Sequence, residues 1–235
     1  MTNMRPPDSS EFDRYANDYE ALIREPSRDW FGSPLFFHRR KLELLLRMLI
    51  SMQRDTHSMD WLDFGCGQGT LLALGKAHFR RACGCDPSAG MLDSRDVGDV
   101  LLQADPNTIP YPDSSMDLVT AVCVYHHVAP SDRERLTSEV RRVLRPNGIF
   151  AIIEHNPNNP LTRLVVSRSP VDINAVLLRA GEAGLLQKQA GMTVEAPVYF
   201  LFVPSILYRL LGFMERLLIR IPLGGQYCQL AVVKE

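Results

Sequence analysis

The residues best suited to chemistry cluster around a glycine-rich run, Asp63-Phe-Gly-Cys-Gly-Gln-Gly69, in a chain of 235 residues. A glycine-rich turn between a strand and a helix lets a ligand approach the backbone closely. A dinucleotide fingerprint needs its third small residue at position 70, where this chain has Thr70. Asp63, just ahead of the turn, is poorly matched to an anionic pyrophosphate. It suits a ligand with a cationic end, such as the amino group of a methionyl moiety. About 20 positions on, Asp86 ends a strand-like run, where a carboxylate can accept from ribose hydroxyls. Its alternative role is to cap a helix ahead of Ala89. Three histidines, His126, His127 and His155, fall just after further strand-like runs. Imidazole titrates near neutrality and can take a proton from an attacking hydroxyl. Packing or capping before Asp132 is the alternative for the first two.

These groups need a scaffold that brings distant segments to one edge. The spacing of Phe12, Tyr15, Ala16, Tyr19 and Ile23 predicts a helix over 11–24, and a second helix follows over 36–52. Strands are then expected at 59–64, 82–86, 100–104, 116–125 and 149–154. Helices are expected at 70–79, 89–94 and 132–144, the last ended by Arg145-Pro-Asn-Gly148. Alternation of this kind implies an α/β fold with a parallel sheet and helices on both faces. Beyond Glu154 the pattern changes to a long loop over 156–170, a helix over 174–190, a strand over 194–203, a helix over 205–220 and a last strand over 227–234. The expected fold is a Rossmann-like, doubly wound sheet of about seven strands, mostly parallel with an antiparallel last strand. The chain divides into a helical cap (1–55), a ligand-binding core (56–155) and a substrate-side region (156–235) of one domain, 1–235.

The net charge of −1 argues against a general electrostatic hold on nucleic acid. The longest uncharged stretch near the C-terminus, 196–208, is too short for a bilayer, which takes about 20 apolar residues. The first residues lack the apolar core of a signal peptide. Five cysteines without Cys-x-x-Cys or zinc spacing suggest reduced thiols and a cytoplasmic protein, and no metal is expected.

Taken in order, these segments resemble the class I S-adenosylmethionine-dependent methyltransferases, in the broad group that includes quinone-biosynthesis and other small-molecule enzymes. The likeness runs from about Phe12 to Glu154. Asp63–Gly69 is similar to the first motif and Asp86 to the ribose-binding acid. Ala104-Asp105 with Ile109-Pro-Tyr-Pro-Asp113 is similar to the adenine segment. Ser115–Val119 and Tyr125-His-His-Val128 match the fourth strand, and Arg142–Gly148 the turn before the fifth. Asn147 stands where glycine is usual and tolerates a left-handed conformation. Gln68 replaces a commoner small residue, with no consequence visible in the sequence. The resemblance implies S-adenosylmethionine as cofactor, held by Asp63, Gly65, Cys66, Gly67, Asp86, Pro87, Met91, Ala104, Asp105 and Cys123. Gly65 and Gly67 would line the methionyl part, Met91 and Ala104 the adenine, and Asp105 would accept from its amino group; a turn cap before Pro106 is the other role for Asp105. Tyr15 and Tyr19 would lie on a lid.

Methyl transfer from a sulfonium is an in-line displacement that mainly needs alignment and exclusion of water. A hydroxyl acceptor also needs a base, and His126 stands where plant-type O-methyltransferases have a catalytic histidine. The expectation is O-methylation of a small molecule with His126, His127 or His155 as base. N- or C-methylation, including of a quinone- or lipid-like acceptor, and a non-catalytic S-adenosylmethionine-binding protein are the alternatives. Arg163 could meet an anionic acceptor. The apolar face of the helix over 205–220 is expected to pack in the core, with a homodimer seam or a lipid-like acceptor as other uses.

Overall fold

The computed structural model describes residues 12, 13, 15, 16, 18, 22, 32–93 and 98–234. Tyr19 and Ile23 lie outside them; Phe12, Asp13, Tyr15 and Leu22 are helical.

The sheet contains eight strands: β1 (Asp60–Phe64), β2 (Arg81–Asp86), β3 (Val100–Leu102), β4 (Met116–Val122), β5 (Leu144–His155), β6 (Met192–Val194), β7 (Val198–Phe200) and β8 (Gln226–Val233). Their order is β3-β2-β1-β4-β5-β8-β6, with β7 also on β8. Strands β1 to β5 pair parallel; β8 runs antiparallel to β5, β6 and β7. All five residues of β1 are buried, as suits a central strand covered on both faces.

Side chains alternate between the two faces. Leu62, Phe64, Val119, Ala121, Phe150 and Ile152 pack with Leu136, Val140 and Val143 of one helix (Arg133–Val143) and Ala180 and Ala183 of another (Ala180–Gln189). Trp61, Leu118, Ile149, Ala151 and Ile153 face the other way, onto Leu42, Leu45 and Leu49 of α1 (Pro34–Ser51) and Leu71 and Leu72 of α2 (Thr70–Gly75). The remaining helices are α3 (Ala89–Asp93), α4 (the Arg133–Val143 helix), α5 (Pro160–Val166), α6 (the Ala180–Gln189 helix), α7 (Ser205–Leu211) and α8 (Glu215–Leu218).

The doubly wound sheet is as expected, but the region after Glu154 differs. The loop expected over 156–170 contains α5, whose Asn159 Oδ1 accepts from Leu161 N and Thr162 N, with Pro160 opening the helix. The helix expected from 174 begins at Ala180. The strand expected over 194–203 is broken into β6 and β7 around Pro197, which has no N–H for a ladder. The helix expected over 205–220 is broken at Gly212 into α7, a 3-10 turn (Gly212–Met214) and α8.

Core packing of that helix is also overturned. Leu210, Phe213 and Leu217 are 72%, 66% and 78% exposed. The segment is held instead by Glu215, which is buried and accepts from Arg40 Nη2 (2.8 Å) and Phe202 N (3.1 Å). Among the described residues no helix is long and apolar enough to cross a membrane, and all five cysteines are free thiols.

Candidate functional site

The order of the sheet reverses between β1 and β4, so the crevice for a ligand lies beyond the C-terminal ends of these strands. The glycine loop leaves β1 there. Gly65, Gly67 and Gly69 have φ of +70°, +52° and +70°, values that disfavour side chains. At Gly65 an added Cβ would also meet Val124 Cγ2 at 2.5 Å. Asp86, at the end of β2, accepts from Gly67 N (2.8 Å) and Ser88 N (2.9 Å) and so ties the two loops together. Burial raises its pKa, and these amide bonds work against the rise.

A cavity of about 810 Å³ opens at this point. Of the residues that the sequence offered for the cofactor, Gly65, Cys66, Gly67, Asp86, Pro87, Met91 and Cys123 line it. Asp63 does not. It lies behind the loop, buried, accepting from Thr120 Oγ1 (2.6 Å), which in turn accepts from Trp61 Nε1 (2.9 Å). Burial pushes the Asp63 carboxyl up to about 7, against the hydrogen bond from Thr120 and the Lys41 ammonium.

Ala104 and Asp105 are exposed and do not line the cavity either. The Asp105 carboxylate accepts from Asn107 N (2.9 Å) and Thr108 Oγ1 (2.8 Å), which hold its pKa low; it caps its own turn. Gln103, two residues before Asp105, lines the cavity instead. Gln103 Nε2 donates to Pro106 O (2.8 Å), while its buried Oε1 has no partner.

The cavity wall also carries His126, His127 and His155. His126 has both ring nitrogens engaged, Nδ1 with Glu154 Oε2 (2.5 Å) and Nε2 with Asp172 Oδ1 (3.2 Å). Burial disfavours its charge, but the two carboxylates outweigh burial and push its pKa well above the imidazole range. Glu154 is fully buried, and its other oxygen accepts from Tyr125 N (2.7 Å). His127 Nε2 is 3.5 Å from Asp172 Oδ1, and its Nδ1 is buried without a partner. Burial and the neighbouring His126 push the His127 pKa down to about 3. His155 Nδ1 lies 3.4 Å from Gln226 Nε2.

Cys123 follows β4 directly with φ +58°, a strained value for a residue with a side chain. Its Sγ accepts from Lys41 Nζ at 3.3 Å. Burial opposes ionisation of this thiol, but Lys41 and His155 prevail and bring its pKa down to about 7.

The N-terminal segment meets the site through Phe12, whose ring stands edge-on to His127 with centroids 5.0 Å apart. Phe12 lines the cavity; Tyr15 and the exposed Arg163 do not, and Tyr19 lies outside the described residues. Asp13 Oδ1 accepts from Ser88 Oγ (2.5 Å) and Gly90 N (3.0 Å), and Gln68 Nε2 donates to Ala16 O (2.8 Å). Gln68 thus has a consequence that the sequence did not show: it ties the glycine loop to this segment.

The sequence reading missed Lys41, Gln103, Asp172 and Gln226, and passed over Glu154 as a neighbour of His155. Glu154 at the end of an apolar strand was the one visible signal, since a lone carboxylate there needs a partner. The others stand in unremarkable helix, strand and loop contexts.

Comparison with known proteins agrees with this architecture. Residues 62–152 match the family described as a methyltransferase domain. A demethylmenaquinone methyltransferase of Thermotoga maritima is 31% identical over 153 residues, covering 63% of this chain and 61% of that protein. A tRNA (carboxymethyluridine(34)-5-O)-methyltransferase of Arabidopsis thaliana is 30% identical over 117 residues, covering 49% of this chain and 28% of that protein. The matches therefore span less than two thirds of either relative's length. Among solved structures, a SAM-dependent methyltransferase from Thermotoga maritima superposes with a TM-score of 0.68 at 20% identity, covering 95% of this chain and 98% of that chain. That is a likeness of fold. The two curated relatives are named for very different acceptors.

Proposed function

We propose that residues 62–152, which match the family described as a methyltransferase domain, bind S-adenosylmethionine in the class I manner and that the chain transfers the donor's methyl group to a hydroxyl of a small, largely apolar molecule. The observation that carries this is the shared cavity. The glycine loop with Asp86 and members of the histidine–carboxylate cluster line one cavity. The methionyl end of the donor then lies over Gly65 and Gly67, and Asp86, already held by two amides, accepts from the ribose hydroxyls. Met91 lies against the adenine. Gln103 Oε1, buried and without a partner, accepts from the adenine amino group in the place expected of Asp105. Asp63 acts from behind the loop through its charge on the donor's ammonium.

An acceptor oxygen attacks the methyl carbon as the carbon–sulfur bond breaks. The bond pair returns to sulfur and leaves S-adenosylhomocysteine. The acceptor's proton goes to the histidine cluster. His155 is the candidate, because His126 has both nitrogens committed and burial beside His126 holds the His127 pKa down at about 3. Phe12 over His127 helps to exclude water from this end.

A quinone- or lipid-like acceptor is favoured within this class. The acceptor half of the cavity is walled by Leu161, Val165, Leu201, Phe202, Val203 and Pro204, and Pro204 leads directly into α7, whose Ile206 and Leu210 are exposed. A homodimer would use the same apolar face.

Two measurements test the proposal. Calorimetry should show S-adenosylmethionine and S-adenosylhomocysteine binding one to one; binding of neither removes it. Incubation with methyl-labelled donor and a lipid-containing metabolite extract should label a molecule on oxygen. Label on nitrogen or carbon refutes the hydroxyl acceptor, and no label at all, with binding intact, favours a non-catalytic binder.

A further inference from the structure

The loop after β4 and the 3-10 turn Pro170–Asp172 bring three potential metal donors to one point. His126 Nε2 lies 3.2 Å from Asp172 Oδ1, and His127 Nε2 lies 3.5 Å from the same oxygen. The three donor atoms all fall within 4.8 Å of one another. Two donors that each lie about 2.1 Å from a shared ion are about 3.0–3.4 Å apart at octahedral or tetrahedral angles. The observed separations are close to the edges of such a polyhedron.

The groups behind the donors fit the same purpose. Nδ1 of His126 faces Glu154 Oε2 at 2.5 Å, and a carboxylate behind an imidazole fixes the ring so that its other nitrogen offers a lone pair. The Glu154 and Asp172 side chains are 0% and 10% exposed, and two carboxylates at that depth require positive charge. Arg133 senses Glu154, but its Nε and Nη2 donate to the carbonyls of Val128 and Val176, and among the described residues it forms no ion pair with either carboxylate.

We propose that His126, His127 and Asp172 form a binding site for a divalent transition-metal ion, with Glu154 as a positioning residue behind His126, and that the ion's open positions face the cavity and take an acceptor oxygen. Two imidazoles and one carboxylate suit Zn²⁺, Mn²⁺, Fe²⁺ or Co²⁺ better than Ca²⁺ or Mg²⁺. The acceptor part rests on the methyltransferase reading above; the ion site does not. A coordinated hydroxyl loses its proton to His155 or water, its oxygen pair forms the bond to the methyl carbon, and the carbon–sulfur pair returns to sulfur while the ion is unchanged.

The test uses the full chain, stripped with a chelator, dialysed and titrated with Co²⁺, with visible absorption and elemental analysis as readouts. One equivalent should bind and give ligand-field bands. Asp172→Asn should weaken binding at least tenfold, and Glu154→Gln about 10–100-fold. Catechol, a simple bidentate oxygen ligand, should shift the bands of the cobalt form. No stoichiometric binding, or binding unchanged in Asp172→Asn, overturns the site; bands that catechol leaves unmoved overturn the open position. S-adenosylmethionine affinity is measured in the same samples. Donor binding without metal binding sinks the ion site alone, whereas loss of donor binding by the folded native chain sinks the methyltransferase reading. A Cys228→Ser chain, altered on β8 away from the cavity, should bind Co²⁺ as the native chain does.

Discussion

Replacing Gly65 by alanine tests the geometry of the glycine loop most directly. Two separate costs follow from the structure. The residue has φ +70°, and the left-handed region costs a residue with a Cβ about 1–2 kcal/mol. The new Cβ would also stand 2.5 Å from Val124 Cγ2, where about 3.5–4.0 Å is comfortable, so loop and valine must separate by about 1 Å. Overpacking of that size costs about 1–3 kcal/mol. Gly65→Ala should therefore destabilise by about 2–5 kcal/mol, a large part of a typical stability of about 5–15 kcal/mol. The second cost disappears when the valine is shortened; the first does not. In a double-mutant cycle with Val124→Ala, the coupling should be about 1–3 kcal/mol in favour of the double variant. Urea denaturation monitored by circular dichroism supplies the four free energies, and calorimetry with S-adenosylmethionine shows whether the displaced loop still binds. A single variant within 0.5 kcal/mol of the native chain would refute the conformational argument. A cycle with no coupling would refute the clash, leaving backbone strain as the whole effect.

Other consequences are open to simpler measurements. Asp86→Asn places an amide group where two backbone N–H donors need acceptors, and it removes the charge offered to ribose; S-adenosylmethionine affinity should fall about 10–100-fold (about 1.4–2.7 kcal/mol). A 2′,3′-dideoxyribose analogue should be far less sensitive, and equal losses for both ligands would contradict the ribose role. Cys123, with its pKa brought to about 7, should react with iodoacetamide at a rate that rises with a midpoint near pH 7, against about 8.5 for an ordinary thiol. Lys41→Met should raise that midpoint, and an unchanged midpoint removes Lys41 as the cause. Asp60 accepts from Arg80 Nε (2.9 Å) and Arg145 Nη2 (3.0 Å), and its pKa is lowered, first by Arg80. A depressed carboxylate contributes stability in full above its unfolded value of about 3.9 and loses it as pH falls through the lower folded value. Asp60→Asn should cost about 1–2 kcal/mol at pH 7, discounted for the partly exposed arginines, and the difference from the native chain should shrink towards pH 2 in urea titrations. A constant difference across that range would show that charge is not responsible.

By itself the sequence determined the core of the fold and the glycine-loop wall of the cavity. Strand β1, its glycine turn and Asp86 were legible because each depends on local rules: a buried apolar run, positive φ at glycines, and a carboxylate at a strand end facing the next loop. The same locality explains the setting of Asp105. Its carboxylate satisfies two donors two and three residues ahead, and the residue that reaches the cavity is Gln103, two positions earlier. The region after Glu154 was legible in part. Asn159-Pro160 carried a helix signal inside a loop-like composition, and the apolar face over 205–220 gave no sign that Glu215 and Arg40, rather than the leucines, would anchor it.

Only the tertiary structure decided the chemistry of the histidine wall. His126 and His127 were visible as histidines, but their roles depend on Glu154 and Asp172, which lie 28 and 46 residues beyond His126. Lys41 meets Cys123 across 82 positions. Electrostatic partners of this kind act through space at about 3 Å and leave no periodicity in the chain, so no local pattern announces them. The sequence fixes which groups can ionise. The fold, by burying two carboxylates beside three imidazoles, decides which of them hold charge and which are left to bind.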